Sequence, residues 1–296
     1  MQTIDPNQIP SQHLQRLLLG TIAPRPIAFA STIDMEGIPN LSPFSCFNVF
    51  GVNPTTLIFS PSRRGKDNTL KDTFLNVKEV PEVVINVVTF DMVQQASLAS
   101  TEYPRGTNEF IKAGLTQIPS EKIRPFRVKE SPVQIECKVR QVIETGIGGG
   151  AANLIVCEVL LMHLNENIFG EDGLIDPDKI NLVGRMGGNY YVKASGNAIF
   201  TVPKPNEKMS LGIDALPELV RMSRVLTGNE IARLGSLENF PTAVEIIAFS
   251  KSDLVRQMHI KFAGEPEMLL DQTHLLASAF IAKGEVNEAM KLLLAV

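Results

Sequence analysis

The chain has 296 residues, 44% of them hydrophobic and 20% charged, with a formal net charge of −4 and a pI near 5.7. That composition suits one large globular domain or two of ordinary size, and no run of about 18 apolar residues marks a membrane span. A mildly acidic chain without a long basic run is expected to have no nucleic-acid partner.

The opening stretch "MQTIDPNQIPSQHLQ" is polar and lacks the basic-then-apolar layout of a signal peptide, so a cytoplasmic location is expected. From residue 21 to about 200 the pattern is mostly strand-like. "PIAFASTI" (26–33), "TTLIFS" (55–60), "EVVINVVT" (82–89), "PVQIECKVRQVIE" (132–144), "ANLIVCEVLLMHL" (152–164) and "YYVKASG" (190–196) are short, apolar and β-branched. Clusters of Gly, Pro, Asn and Asp separate them. Two helical candidates interrupt the series: "DNTLKDTFLNVKEV" (67–80), starting near Asn68, and "DMVQQASLAS" (91–100). Many short strands with few helices predict an antiparallel barrel or sandwich, not a doubly wound sheet.

Three cysteines, Cys46, Cys137 and Cys157, show no CxxC spacing. Cys137 and Cys157 fall in strand-like segments, where a buried thiol acts as a small hydrophobe. His13, His163, His259 and His274 lack metal-ligand spacing, so no metal is expected. "GIGGGA" (146–151) satisfies G-x-G-x-x-A on paper, but a dinucleotide fingerprint needs a helix after it. Here a β-branched segment follows, and the glycines read as a hairpin loop.

After "FTVPKPNEK" (200–208) the spacing turns helical. "LPELVRMSRVL", "TGNEIARLGSL", "EPEMLLDQTHLLASAFIAKG" and "EVNEAMKLLLAV" repeat apolar residues at three and four, and Thr227 with Glu230 fits a capping box. The last of these, over 277–294, resembles one helix hairpin of a tetratricopeptide-type array, and a few helices covering the barrel or a subunit interface would give the same pattern. Two domains are expected, 1–204 mostly β and 205–296 helical.

Two stretches carry candidate chemistry. In "SPSRRGKDNTLKDT" (60–73), a strand end, a turn and a helix start bring hydroxyls together with basic residues. A phosphate needs converging donors and positive charge, and Ser60, Ser62, Thr69 and Thr73 with Arg64 and Lys71 satisfy that need. A solvated basic loop would share the pattern. Upstream, "NLSPFSCFN" (40–48) is a poor core strand, because Pro43 cannot donate to a ladder and the serines need partners. It suits a backbone facing a flat polar heterocycle with Phe44 and Phe47 around it, or a bulged edge strand with core phenylalanines.

Taken in order, "PRPIAFASTID", "PNLSPFS", "TLIFSPSRRGKDNTLKDTFLNV", "VINVV", "KAGLT", "SPVQIECKV" and "LIVCEV" resemble the flavin reductase-like, FMN-binding split-barrel family that includes flavoredoxins. The resemblance spans about residues 15–200. It implies a mostly β fold, an FMN-binding split β-barrel with a few helices, to which the C-terminal helices are an extension. It further implies FMN as cofactor, a homodimer, and the isoalloxazine ring along Asn40, Leu41, Ser42, Pro43, Phe44 and Ser45, with Thr32 close by. The phosphate and ribityl chain fall to Ser60, Ser62, Arg64, Lys71 and Thr73, with Arg63 and Lys66 as further basic candidates. Lys71-Asp72-Thr73 matches the family's Lys-Asp-Thr motif. The activity implied is hydride transfer from NADH or NADPH to FMN, a reaction that needs no protein nucleophile. A flavoredoxin-like carrier passing electrons to a protein acceptor without a nicotinamide site, and a partner-binding protein working through its helical C-terminus, are the alternatives.

Overall fold

The fold was analysed on a computed structural model that describes residues 1–203 and 209–296. The chain divides into two units, Met1–Phe200 and Thr201–Val296. The expected domain boundary between 204 and 205 lies outside the described residues.

In the first unit, an amphipathic helix α1 (Ser11–Thr21) precedes the strands β1 (Ala28–Ile33), β2 (Pro39–Phe44), β3 (Phe47–Val52) and β4 (Thr55–Phe59). After α2 (Asp72–Glu79) come β5 (Glu82–Val87), the short helices α3 (Val93–Leu98) and α4 (Glu109–Ala113), and the small pair β6 (Gln117–Ile118) and β7 (Arg127–Val128). The long hairpin β8 (Val133–Glu144) and β9 (Asn153–Leu164) follows, then α5 (Pro177–Ile180) and the hairpin β10 (Val183–Arg185) with β11 (Tyr191–Lys193).

Seven strands form one antiparallel sheet in the order β2-β1-β5-β8-β9-β4-β3. Its two outermost strands, β2 and β3, are separated in the chain by only Ser45 and Cys46. A flat seven-stranded sheet would hold its edges about 28 Å apart at the usual strand spacing, far beyond the reach of a two-residue link. The sheet therefore curls on itself into the expected split β-barrel. Ser60 N donates to Cys46 O at 2.9 Å, and the rings of Phe44 and Phe59 lie 5.6 Å apart across the closure.

Strand alternation divides the apolar residues. Ala28, Ala30, Phe44, Phe59, Ile85, Cys137 and Cys157 face one core with Phe74 and Val77 of α2. Phe29, Leu41 and Val88 face a second with Met92, Ala96 and Phe110, under α3 and α4. Both expected buried thiols are thus core residues, and burial raises each above its ordinary value, Cys137 to about 12. "GIGGGA" does form the turn of the β8–β9 hairpin, closed by Thr145 N to Ala152 O at 3.0 Å.

One helix start differs from expectation. Asn68 has a φ of 59° and sits in a turn in which Asn68 N donates to Arg64 O and Arg64 N to Thr69 O. That left-handed residue cannot open a helix, so α2 begins at Asp72, four residues later than the sequence suggested.

The second unit holds α6 (Glu218–Arg221), α7 (Gly228–Gly235), α8 (Ala243–Ser250), α9 (Asp253–Lys261), α10 (Pro266–Ala282) and α11 (Val286–Ala295). Leu234, Ala277, Ile281, Met290 and Leu292 are the centre of a core of its own. The Thr227–Glu230 capping box is present, and Thr242 with Glu245 forms another. Gly284, at φ +86°, turns α10 into α11. Burial holds the His274 pKa below its usual value, and Ser223 Oγ lies 2.8 Å from its Nδ1.

Candidate functional site

Edge strand β2 carries the centre of the site. Facing α2, its Asn40 is buried in a polar network that ties four elements together. Asn40 Oδ1 accepts from Thr73 Oγ1 at 2.8 Å and from Thr32 Oγ1 at 3.5 Å. Thr32 Oγ1 accepts in turn from Asn76 Nδ2 at 3.2 Å. The Asn40 amide donates to Glu109 Oε1 at 3.2 Å, while Leu41 N donates to Glu109 Oε2 at 3.0 Å. Glu109 stands at the first turn of α4, whose N-cap Asn108 accepts from Phe110 N at 3.0 Å. Burial raises the Glu109 pKa, and the bonds from Leu41 N and Asn40 offset only part of that. Each oxygen of this carboxylate meets a donor, so the group fixes both the Asn40 amide and the β2 backbone.

Beside the network lies a cationic corner. Lys71 is the N-cap residue of α2 and makes no side-chain capping bond, so the positive end of the helix opens at this point. Arg64 Nη1 donates to Thr69 Oγ1 at 3.0 Å and to Leu70 O at 2.6 Å, which fixes the turn before α2. Desolvation, with Arg64 next, holds the Lys71 pKa below its usual 10.5. Asn40, Ser42, Arg64, Lys71, Thr73 and Glu102 share one pocket there. It offers two cations, a helix start and three polar side chains on one concave surface.

Five of the sequence-predicted residues, Asn40, Ser42, Arg64, Lys71 and Thr73, thus come together, and Thr32 lies in the network behind them. The others are placed differently. Leu41 and Phe44 turn their side chains into the two cores and leave their backbone to the ledge. Pro43 and Ser45 line a neighbouring cavity of about 410 Å³ with Arg185 and Tyr191, and Ser100 borders both this cavity and the cationic pocket. Ser45 also faces a cavity of about 620 Å³ that holds Ser62 and one face of α1. Ser60 is buried, with its Oγ accepting from Asn153 N at 3.2 Å. Arg63 is held away from the pocket. Its Nε donates to Asn68 Oδ1 at 2.8 Å, its N to Ala151 O at 2.9 Å, and its carbonyl accepts from Gly150 N at 3.1 Å. In the same loop, a Cβ on Gly149 would come within 3.2 Å of the carbonyl oxygens of Arg64 and Gly65.

Sequence reasoning missed Glu102, Arg25 and Arg185. Arg25 is buried and grips the end of the ledge, with Nη1 donating to Ser45 Oγ at 2.5 Å and Nη2 to Met186 O at 2.9 Å. Arg185 stacks on the Tyr191 ring, 4.5 Å from its centroid. "RPI" and "GRMGGNYY" gave no spacing signal, since Arg25 reaches Ser45 and Met186, 20 and 161 residues away, and Arg185 acts within a short hairpin. Among the described residues no group of three or more His, Cys, Asp or Glu side chains is arranged to hold a metal, and no helix is long and apolar enough to cross a membrane.

Asn40→Ala should cost about 1–3 kcal/mol of stability, because it strands the Thr73 hydroxyl and one Glu109 oxygen in a buried site, and a urea titration reads this directly. A raised Glu109 pKa means its contribution to stability is full below the ordinary value of 4.5 and is lost as pH climbs through the raised value. Glu109→Gln should remove that contribution, so the wild-type urea midpoint minus that of the variant should fall from acid to neutral pH. A difference that does not fall over that range would contradict the assignment.

Residues 20–181 match the flavin reductase like domain. An uncharacterized protein of Aquifex aeolicus is 40% identical over 183 residues, 62% of this chain and 91% of that protein. The uncharacterized protein YwrF of Bacillus subtilis is 29% identical over 209 residues, covering 70% of this chain and 100% of its own length. Nitrilotriacetate monooxygenase component B from Bacillus cereus superposes with a TM-score of 0.63 at 29% identity, over 68% of this chain and 98% of that one. With more than half its length matched to the domain and the split barrel in place, the chain belongs to the flavin reductase-like family.

Proposed function

We propose that this chain binds FMN along β2 and catalyses hydride transfer to it from NADH or NADPH. The observation that carries the reading is the convergence of Arg64, Lys71 and the open start of α2 on one pocket at the end of the β2 ledge. This donor set fits a phosphate monoester, which carries about −1.5 to −2 charges at neutral pH and three acceptor oxygens. Arg64 and Lys71 would supply charge and the α2 backbone N–H groups direct hydrogen bonds, while Thr73, whose hydroxyl is given to Asn40, ties α2 to the ledge. The ledge from Ser42 to Ser45 then faces the ring system, with its backbone groups free to hydrogen-bond on the edge of the sheet. Bound flavin supplies the hydride-accepting chemistry. The chain's own share is to bind, orient and shield, and the Asn40–Glu109 network holds the ledge rigid for that task. Family membership and the 29% identity to a monooxygenase component B over nearly all of that chain favour an oxidoreductase.

A homodimer belongs to the same reading. Strand β3 lies at a sheet edge and exposes Val49, Phe50 and Val52 at 56%, 64% and 84%, an apolar edge that a second copy would cover. Sedimentation of the full chain should give twice the monomer mass of 32.4 kDa, and a monomer at micromolar concentration would count against it.

The double variant Arg64→Ala/Lys71→Ala should weaken FMN binding by about 100-fold or more, since charge-assisted contacts are worth about 1.5–3 kcal/mol each. Quenching of flavin fluorescence measures this, and an unchanged affinity would remove the phosphate from this corner. FMN-loaded protein should be yellow and bleach anaerobically on adding NADH or NADPH. Protein that is inert to both nucleotides yet bleached by a reduced protein partner would instead be an electron carrier.

A further inference from the structure

The cationic corner already holds an anion of its own. Glu102 follows α3, on the segment leading to α4, and reaches across to the turn before α2. Its Oε1 lies 3.2 Å from Arg64 Nε and 3.9 Å from Lys71 Nζ, and Oε2 pairs with Lys66 Nζ. Arg64 and Lys71 are the two cations that the proposed function gives to the phosphate. Lys66, then Lys71 and Arg64, in turn hold the Glu102 carboxyl below its usual range, the hydrogen bond from Lys66 being the largest influence. The cavity left between these groups is only about 20 Å³, room for roughly one water. Glu102 thus pairs with the same two cations that a phosphate would need.

The neighbouring acids are engaged differently. Asp67 accepts from Thr69 N at 3.0 Å and from Thr69 Oγ1 at 2.7 Å, and Asp72 sits in the first turn of α2. Among the described residues the Glu102 carboxylate meets Arg64, Lys66 and Lys71, all cations, and its side chain is 42% exposed. Lys66 is exposed, and a pair of that kind is weak, about 0.2–1 kcal/mol; Arg64 and Lys71 are only 17% and 29% exposed, so they hold whichever anion carries the higher charge.

We propose that Glu102 is an internal competitor for the flavin phosphate. Its carboxylate pairs with Arg64 and Lys71, yields them to the phosphate on binding, and thereby sets how strongly phosphorylated flavin is preferred over riboflavin. The inference rests on the FMN reading above. While paired, the carboxylate neutralises cations that would otherwise repel one another across the turn. In the loaded protein it swings out toward solvent, where its charge is hydrated.

The test compares wild type with Glu102→Gln, which keeps size and removes charge, in titrations with FMN and with riboflavin. Glu102→Gln should bind FMN tighter by about 3- to 10-fold, the range expected when weak exposed pairs no longer have to be broken, and riboflavin with unchanged affinity. Inorganic phosphate should also compete against FMN at lower concentration in the variant. A wild-type preference for FMN that Glu102→Gln leaves unchanged, or an equal gain for both flavins, overturns this inference alone. Equal affinity of the wild type for FMN and riboflavin overturns the phosphate corner itself and the inference with it.

Discussion

The two-residue link between the outermost strands is the constraint on which the molecule is built. Ser45 and Cys46 join β2 to β3 across the full width of a seven-stranded sheet, and no arrangement but a closed curl allows it. Closure brings Phe44 against Phe59 and makes one core out of residues from both halves of the sheet. It also leaves β2 with one side hydrogen-bonded to β1 and the other unpaired. The ledge of the candidate site is therefore a by-product of how the barrel shuts. Its proline is tolerated there because an edge strand has a side on which no N–H is needed.

An unpaired edge would be soft without support, and the buried polar network supplies it. Asn40 is fixed from both ends, by Thr73 and Thr32 on its oxygen and by Glu109 on its amide. Such a network is stable only when every member is satisfied, which links α2, α4, β1 and β2 into one rigid body. Hydrophobic packing alone would hold these elements together but would not determine which way the Asn40 amide points.

Much of this was legible in the sequence. The strands from "PIAFASTI" to "ANLIVCEV" were readable because each is short, β-branched and bounded by turn formers, and the helical character after residue 209 because apolar residues recur at three and four. The cationic corner was readable for a different reason. Arg64, Lys71 and Thr73 lie within ten residues of one another, so local geometry alone brings them together. What stayed hidden was long-range or directional. Glu109 acts 69 residues from Asn40 and Glu102 acts 38 residues from Arg64, separations that carry no periodic signal. Arg63 and Arg64 are indistinguishable by spacing, and only the turn at Asn68 decides that one faces the pocket and its neighbour the β8–β9 hairpin. The same left-handed asparagine delayed the start of α2.

The glycine run at 146–151 leads into a strand and not into the helix a nucleotide fingerprint requires, yet it is not idle. Gly150 and Ala151 exchange backbone hydrogen bonds with Arg63, and Gly149 sits so close to the carbonyls of Arg64 and Gly65 that a methyl group would press on them. The hairpin tip is a buttress pushed against the rear of the turn that carries the guanidinium. Lengthening that tip, or giving position 149 a side chain, would shift the cationic corner from behind, through the backbone of Arg64 and not through its guanidinium. The hairpin tip and the turn at 63–68, far apart in the chain, are thus mechanically coupled.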